Sequence, residues 1–416
     1  MDRVIAALDL KSFYASVECV ERGLDIFKTP LVVCDTTRGM STICLSCTPY
    51  LKSLGVKSVC RRRDLPYIKG LILAKPRMAL YMKRSCEVFS IILDYVAEED
   101  LHIYSIDECF FDLTPYLMLY NKSPIEIVKE IQDKIYEKLK LVTTCGISYN
   151  VFMAKVCLDL EAKKNPPYRC VWTRDDIKNK LWKIKDLSSV WGISTGYKSR
   201  LDQMGINTME DLAKADINYL KLNFGQVGLT LHDMANGEDY SLIQNKYIPM
   251  AKSFSNGQTL YRDYNYKECK TLIFEMVNNL CERLHKANYL TSCVSICVMY
   301  SLRIKETHGF AKQQKLINPT DINERIFEIV YKIYKENVRD FPIRRLYLSF
   351  NNLIKRNKVQ LSLFTNEEED IKSRNASITL EYLQEKYGKD KIFYAESLLD
   401  ESTFIERSKQ IGGHNK

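Results

Sequence analysis

Two adjacent carboxylates in an apolar frame, Asp107 and Glu108, carry the strongest chemical signal in the chain; they sit in YSIDECFFDLT, residues 104–114. The flanking runs His102–Ile106 and Cys109–Leu113 read as strands, so the acidic pair falls in the bend of a hairpin. Adjacent residues of a regular strand face opposite sides, and the two acids can act together only at such a bend. A third carboxylate, Asp9, ends the strand-like run Val4–Leu8 and meets the pair if the strands are neighbours. Three carboxylates within about 4 Å of one another repel by roughly 4 kcal/mol per pair at an effective dielectric near 20. They stay ionised only with cations between them. With no His or Cys beside them, the hard oxygens favour Mg²⁺ or Mn²⁺ over zinc. Two such ions, roughly 3.5–4 Å apart, stabilise the attacking and leaving oxygens of phosphoryl transfer. For the dipeptide alone, a polar hairpin turn is the simpler reading.

The elements that must position these acids alternate. Val4–Leu8 reads as a buried strand and Phe13–Val20 as the start of a helix; Leu31–Cys34 and Ser41–Leu45 read as short strands, then a short helix reaches Leu54 and stops at Gly55. Met78–Val96, Ile125–Leu139 and Val151–Ala162 read as helices, and Val142–Ser148 as a strand. The order predicts an α+β unit with helices on a mainly antiparallel sheet. From about Asp175 to Asp239 short helices are punctuated by glycine, with Thr195 and Thr208 at N-cap positions and Gly205 at a stop. Strand patterns return at Ser253–Leu260, Cys293–Ile304 and Ile343–Phe350, with helices at Glu268–Ala287 and Asp321–Asn337. A last helix is expected at Ile378–Tyr387, after the acidic run Glu367–Asp370.

Composition bounds the class. A chain of 416 residues with 46% hydrophobic content supports several cores. No run approaches the roughly 18 apolar residues of a membrane span, and Val4–Leu8 is too short for a signal peptide, so a cytoplasmic protein is expected. The 14 cysteines are scattered, and Cys44-x-x-Cys47 has no second pair to complete a zinc set; buried free thiols are expected. The net charge of +9 is localised: residues 246–360 hold 20 Lys and Arg against 10 Asp and Glu, whereas residues 1–245 hold 33 against 31. Such a segment suits a phosphate backbone, although a solvated surface also accounts for it.

The motifs resemble the Y-family (UmuC/DinB-type) translesion DNA polymerases. The family's first motif reads LDLKSFYASVE (Leu8–Glu18), the second YSIDECFFDLT and the third TCGISYNVFMAKVCLDLEAKK (Thr144–Lys164), in family order and spacing. Similarity continues through VWGISTGYKSRLDQMGINTMEDLA (Val190–Ala213), SFSNGQTLYRDY (Ser253–Tyr264) and IERSKQIGGH (Ile405–His414), and is greatest to the Gram-positive, plasmid- and phage-borne branch. The resemblance implies a multidomain right-hand polymerase. A ferredoxin-like palm would take residues 1–19 and 76–172, small fingers 20–75, a helix-hairpin-helix thumb 173–245 and an α/β little finger 246–358. A tail from 359 would carry a clamp-binding motif. It further implies that Asp9, Asp107, Glu108 and the Leu10 carbonyl bind two Mg²⁺ ions, and that Tyr14 is the steric gate against the ribonucleotide 2′-hydroxyl. Ser12, Phe13, Tyr14, Lys52 and Lys163 would contact the nucleotide. Here the chain departs from the pattern: Lys52 stands for the usual arginine, Lys163 or Lys164 lies near the palm lysine but one residue late, Pro49 replaces an aromatic and Lys11 an acid or amide.

Primer-template DNA and dNTP are the implied substrates. Gly192, Thr195, Gly196 and Lys198 would hold a DNA phosphate at a helix N-terminus, although a generic helix pair fits the same residues. Arg344 and Arg345 lie on one strand, so only one of them can face DNA. Gln360, Leu361, Leu363 and Phe364 lie between a basic and an acidic stretch and resemble the bacterial sliding-clamp motif, with a terminal strand as the other reading. SOS or accessory proteins are further candidate partners. Two other functions compete: a catalytically weak DNA- and clamp-binding protein, disfavoured by the three acids, and a nucleotide cyclase, which has no use for thumb-like or clamp-like segments.

Overall fold

The structure, a computed structural model, describes residues 3–245, 252–357 and 367–416. The clamp-like residues Gln360, Leu361, Leu363 and Phe364 lie outside them. Two compact units are present, Met1–Lys246 with His414–Lys416, and Tyr247–Gly413.

In the first unit the strands are β1 (Ile5–Leu10), β2 (Leu31–Cys34), β3 (Ile43–Cys47), β4 (Cys60–Arg61), β5 (Ile72–Ala74), β6 (Leu101–Ile103), β7 (Glu108–Asp112), β8 (Thr143–Ser148) and β9 (Arg169–Val171). The helices are α1 (Phe13–Val20), α2 (Pro49–Ser53), α3 (Met78–Leu93), the short α4 (Leu117–Tyr120), α5 (Pro124–Leu139) and α6 (Val151–Cys157), then α7 (Thr195–Gln203), α8 (Met209–Lys214), α9 (Ile217–Phe224) and α10 (Gln226–Ala235). One sheet has the order β6-β7-β1-β8-β9, antiparallel except for the β8–β9 edge. Its middle strand β1 is covered on both faces, and all but one of its residues are buried. That is why its sequence reads as an unbroken apolar run, not an alternating one. A second sheet has the order β4-β3-β2-β5.

Local chemistry sets the helix ends. The Ser123 N–H and hydroxyl both donate to Glu126 ahead of α5, with Pro124 in the first turn, where its missing N–H costs nothing. Thr208 and Asp211 cap α8 reciprocally, and Gly205 takes φ +77 after α7. The cap of α7, however, is Ser194 and not Thr195, which lies inside the helix. The second strand expected at Ser41–Leu45 is displaced to Ile43–Cys47, and α3 ends at Leu93.

The second unit is an antiparallel sheet in the order β10-β13-β11-β12. Its strands are β10 (Phe254–Tyr264), β11 (Tyr289–Tyr300), β12 (Gly309–Thr320) and β13 (Ile343–Asn351). Helices α11 (Cys269–Ala287) and α12 (Asn323–Asn337) share its core through Leu272, Met276, Leu280, Ile326 and Val330 against Val294, Ile296, Leu346 and Leu348. The last long helix, α13, spans Glu367–Tyr387, so the acidic run expected ahead of it forms its first turn. There acidic side chains complement the helix dipole. No described helix is long and apolar enough to cross a membrane.

Candidate active site

The antiparallel register pairs Asp9 with Glu108 on one side and with Thr144 on the other. The Leu10 N–H donates to the Asp107 carbonyl at 2.9 Å, which carries Asp107 to the same strand end. The hairpin differs from expectation: its bend is residues 104–107, and Glu108 opens β7. The N–H groups of Tyr104 and Ser105 both donate to the Glu108 carbonyl at 3.0 Å. Asp107 is therefore freed from strand alternation by the bend, while Glu108 is placed by the ladder. Past β1 the chain reverses at Ser12, a non-glycine residue in the left-handed region at φ 51, ψ 46. That conformation costs about 1–2 kcal/mol. Hydrogen bonds to the Ser12 carbonyl from Ser16 N (2.9 Å) and Ser46 Oγ (3.3 Å) hold it. The reversal brings Ser12, Phe13 and Tyr14, at the start of α1, to the same groove as Asp9.

A chain of alternating charges surrounds the acids. Lys155, nearly buried on α6, stands 2.5 Å from Glu108 Oε1 and 3.1 Å from Asp159. Lys163 meets Asp159 at 2.8 Å and Asp9 at 2.9 Å. Glu108–Lys155–Asp159–Lys163–Asp9 thus alternates in sign throughout. Neither Lys155 nor Asp159 stands out in the sequence; their signal is the four-residue spacing 155, 159, 163, which ordinarily marks a solvated helix face. The Asp9 carboxyl is raised to about 6: burial pushes it up most, Lys163 pulls it down, and Asp107 and Glu108 add to the rise. Lys163 is itself raised: burial opposes its charge, but Asp9 and Asp159 outweigh it. Three carboxylates therefore share one field, compensated by two ammonium groups. Among the described residues no three His, Cys, Asp or Glu side chains already form a metal-holding group.

After α6 the chain runs through a π-helical turn, Leu158–Ala162, closed by Lys163 N–H donating to the Leu158 carbonyl at 3.0 Å. Such a turn accommodates one residue more than regular helix. Gly146 on β8 permits it, since a Cβ there would lie 2.3 Å from Leu158 N and 2.4 Å from the Ala154 carbonyl.

An open groove of about 800 Å³ lies beside the acids. Asp9, Leu10 and Asp107 line one wall, with Ser12, Phe13 and Tyr14 at the start of α1; Lys11, Lys52, Lys163 and Lys164 contribute positive charge, and Pro49 lies at its edge. Phe13 is buried, whereas Tyr14 is half-exposed to the groove, and burial followed by the charge of Asp107 raises its phenol. The Lys11 ammonium donates to the Lys163 carbonyl at 2.8 Å and stands 4.3 Å from the Tyr168 ring centre. Its pKa is lowered by burial and by Lys52.

The other expected contacts are spread over the chain. Gly192 takes φ +92 ahead of α7, Thr195 and Gly196 open that helix, and Lys198 pairs with Asp202 at 2.6 Å. In the second unit, Arg344 lies 3.6 Å from Asp263, while Arg345 is exposed beside Tyr347, which is also exposed.

A family model described as the impB/mucB/samB family matches residues 8–159, and one for that family's C-terminal domain matches 251–363. A Bacillus subtilis (strain 168) protein named for UV-damage repair, UvrX, is 31% identical over 99% of this chain and 97% of its own. "DNA polymerase IV 2" of the same organism is 29% identical over 100% of this chain and 99% of its own. Among solved structures, a chimera titled a Y-family DNA polymerase superimposes with a TM-score of 0.67 at 21% identity. It covers 85% of this chain and 100% of the chimera, a likeness of fold.

Proposed function

The chain belongs to the impB/mucB/samB family, that of the Y-family DNA polymerases, and from this premise we infer that it is a DNA-directed DNA polymerase performing error-prone synthesis across damaged templates. The observation that carries the reading is the convergence of Asp9, Asp107 and Glu108 at one strand end beside a groove rimmed by lysines.

The donor set suits a hard divalent cation. All three side chains offer oxygen, and Glu108 Oε1 is buried without a hydrogen bond of normal alignment, its neighbour being the Lys155 ammonium. Asp9, Asp107, Glu108 and the Leu10 carbonyl would hold two Mg²⁺ or Mn²⁺ ions. Bound there, such ions activate the primer 3′-hydroxyl and neutralise the triphosphate. Lys163 would exchange its contact with Asp9 for a phosphate oxygen, and Lys52 would add charge from α2. The amides of Ser12, Phe13 and Tyr14 at the start of α1 would receive phosphate oxygens. The Tyr14 ring would lie under the sugar and exclude a 2′-hydroxyl by clash.

Palm (1–19, 76–172), fingers (20–75), thumb (173–245) and little finger (246–358) follow as the assignment of segments; the two sheets of the first unit support a division between palm and fingers. Gly192, Thr195, Gly196, Lys198 and Arg345 are the proposed backbone contacts to DNA, with Arg344 held back by Asp263. Gln360, Leu361, Leu363 and Phe364 would dock on a sliding clamp in the cytoplasm, and SOS or accessory proteins would join there.

Primer extension with Mg²⁺ on a primed template bearing an abasic site, with and without the clamp, tests the reading. The wild type should extend past the lesion, and Asp107→Ala should lose at least about a thousandfold in rate. A wild type that binds primed DNA yet adds no nucleotide would overturn it.

A further inference from the structure

Behind the groove, α1 and α3 interlock through two pairs of residues, each pair spaced by four. Tyr14 and Glu18 lie one turn apart on α1, and Arg77 and Tyr81 bracket the first turn of α3. The Tyr14 ring stacks on the Tyr81 ring, with centroids 4.6 Å apart and planes inclined by 21°. Tyr81 is fully buried, and its hydroxyl donates to Glu18 Oε1 at 2.8 Å. Glu18 is fully buried as well. Arg77 grips both of its oxygens, Nε to Oε1 and Nη2 to Oε2, each at 2.9 Å, and Arg22 also donates to Oε2. Phe13 closes the side of the stack, 5.6 Å from Tyr14 and 6.4 Å from Tyr81.

An ionic cluster of this kind is a weak source of stability, because desolvating the charges offsets most of their attraction. What it supplies is direction: charge-assisted, two-pronged bonds tolerate little displacement. A ring that excludes a substrate by clash works only if it cannot retreat. Relief of a clash with one added oxygen needs a shift on the order of 1 Å, a misplacement of the size that changes enzyme rates a hundredfold. A lone half-exposed tyrosine on a helix face would yield by rotating. Here the path of retreat is filled by the Tyr81 ring, and the Tyr81 ring is pinned at its far end by Glu18.

We propose that Tyr81, anchored by Glu18 to Arg77 and Arg22, is a positioning residue for sugar discrimination: it backs the Tyr14 ring and stops it moving away from a 2′-hydroxyl. The proposal rests on the reading of Tyr14 as the gate. It gives Glu18 and Arg77, neither of them among the groove-lining residues, a role in substrate choice.

The test is the ratio of kcat/KM for a dNTP to that for the matching rNTP, measured by primer extension for Tyr14→Ala, Tyr81→Leu, Tyr81→Phe and the double variant Tyr14→Ala/Tyr81→Leu. Loss of stability or of general activity moves both substrates together and leaves this ratio unchanged. Tyr81→Leu, which removes the backing ring, should lower the ratio about tenfold. Tyr81→Phe keeps the ring and loses only the tie to Glu18; as the milder change it should lower the ratio about threefold. Adding Tyr81→Leu to Tyr14→Ala should lower it no further, because the effect passes through Tyr14. If Tyr14→Ala collapses the ratio while both Tyr81 variants keep the wild-type value, the positioning role is wrong and the gate stands. Equal further losses on both backgrounds would likewise exclude it. If Tyr14→Ala leaves the ratio intact, the gate reading itself falls, and the positioning role with it.

Discussion

Lys155 and Lys163 touch the same carboxylate, Asp159, yet their surroundings separate their roles. The Lys155 side chain is 7% exposed and faces Glu108, whereas that of Lys163 is 31% exposed and opens on the groove. Removing a buried partner leaves an uncompensated charge behind, at a cost of about 3–5 kcal/mol. Lys155→Met should therefore destabilise the first unit by about 3 kcal/mol, while Lys163→Met, nearer solvent, should cost about 1 kcal/mol or less. All three tryptophans, Trp172, Trp182 and Trp191, lie in the first unit, so denaturant unfolding followed by their fluorescence reads it alone. Equal losses for the two variants would contradict this division. At this scale the acids were legible in the sequence because their pattern is chemical. Lys155 was not, because four-residue spacing of opposite charges looks the same on a wet face and a dry one. What dries this face is Gly146, which admits the helix to the sheet at a distance no side chain allows.

Elements with a clear period were readable: α1, β2 and α12 appear close to where the apolar spacing puts them. The misplacements have local causes. Ser194 and Thr195 are both good caps, and only the backbone decides between them. The π-helical turn ahead of Lys163, which holds one residue more than a regular turn, has no signature in the apolar spacing. The full length of α13 was hidden because its first half is polar and meets the rest of the unit through ion pairs. Asp370 pairs with Arg325 at 2.7 Å, and Arg374 with Asp321 at 2.8 Å. His285, on α11, meets Glu381 Oε1 through Nδ1 at 2.8 Å and the Asp321 carbonyl through Nε2 at 2.9 Å. Two acceptors on one ring call for the imidazolium. Burial opposes the charge, but Glu381 and Asp321 raise its pKa overall, although Arg356 and Arg374 also pair with the Asp321 carboxylate. The stabilisation is therefore complete below the unfolded value of about 6.5 and is lost as pH rises through the higher folded value. The Tm of the second unit should fall between about pH 6 and 8, and His285→Gln should flatten that fall; parallel curves for the two proteins would refute the assignment.

Over the molecule as a whole, the basic surplus located in residues 246–360 and the acidic bias of the tail prove to be connected. Part of that surplus is spent internally, Arg325 on Asp370 and Arg356 on Asp321, while Arg345, Lys312 and Lys315 on the sheet remain exposed. Strand β12, which carries those two lysines, is the one long strand that sequence patterning missed. Its run from Ala311 to Lys315 is exposed throughout and shows no alternation of apolar and polar residues. Among the described residues β12 pairs only with β11, so one flank of a 12-residue strand keeps its amides and carbonyls open. An open strand is a template on which a second copy can grow, and lysines along it are a recognised deterrent. The lysines that conceal β12 from hydropathy are thus also of the kind that discourages pairing between copies at an open edge. Replacing Lys312 and Lys315 by valine should make the strand plain to any pattern search and the protein prone to self-association. Sedimentation at about 50 µM should then show dimers and larger species where the parent chain stays single.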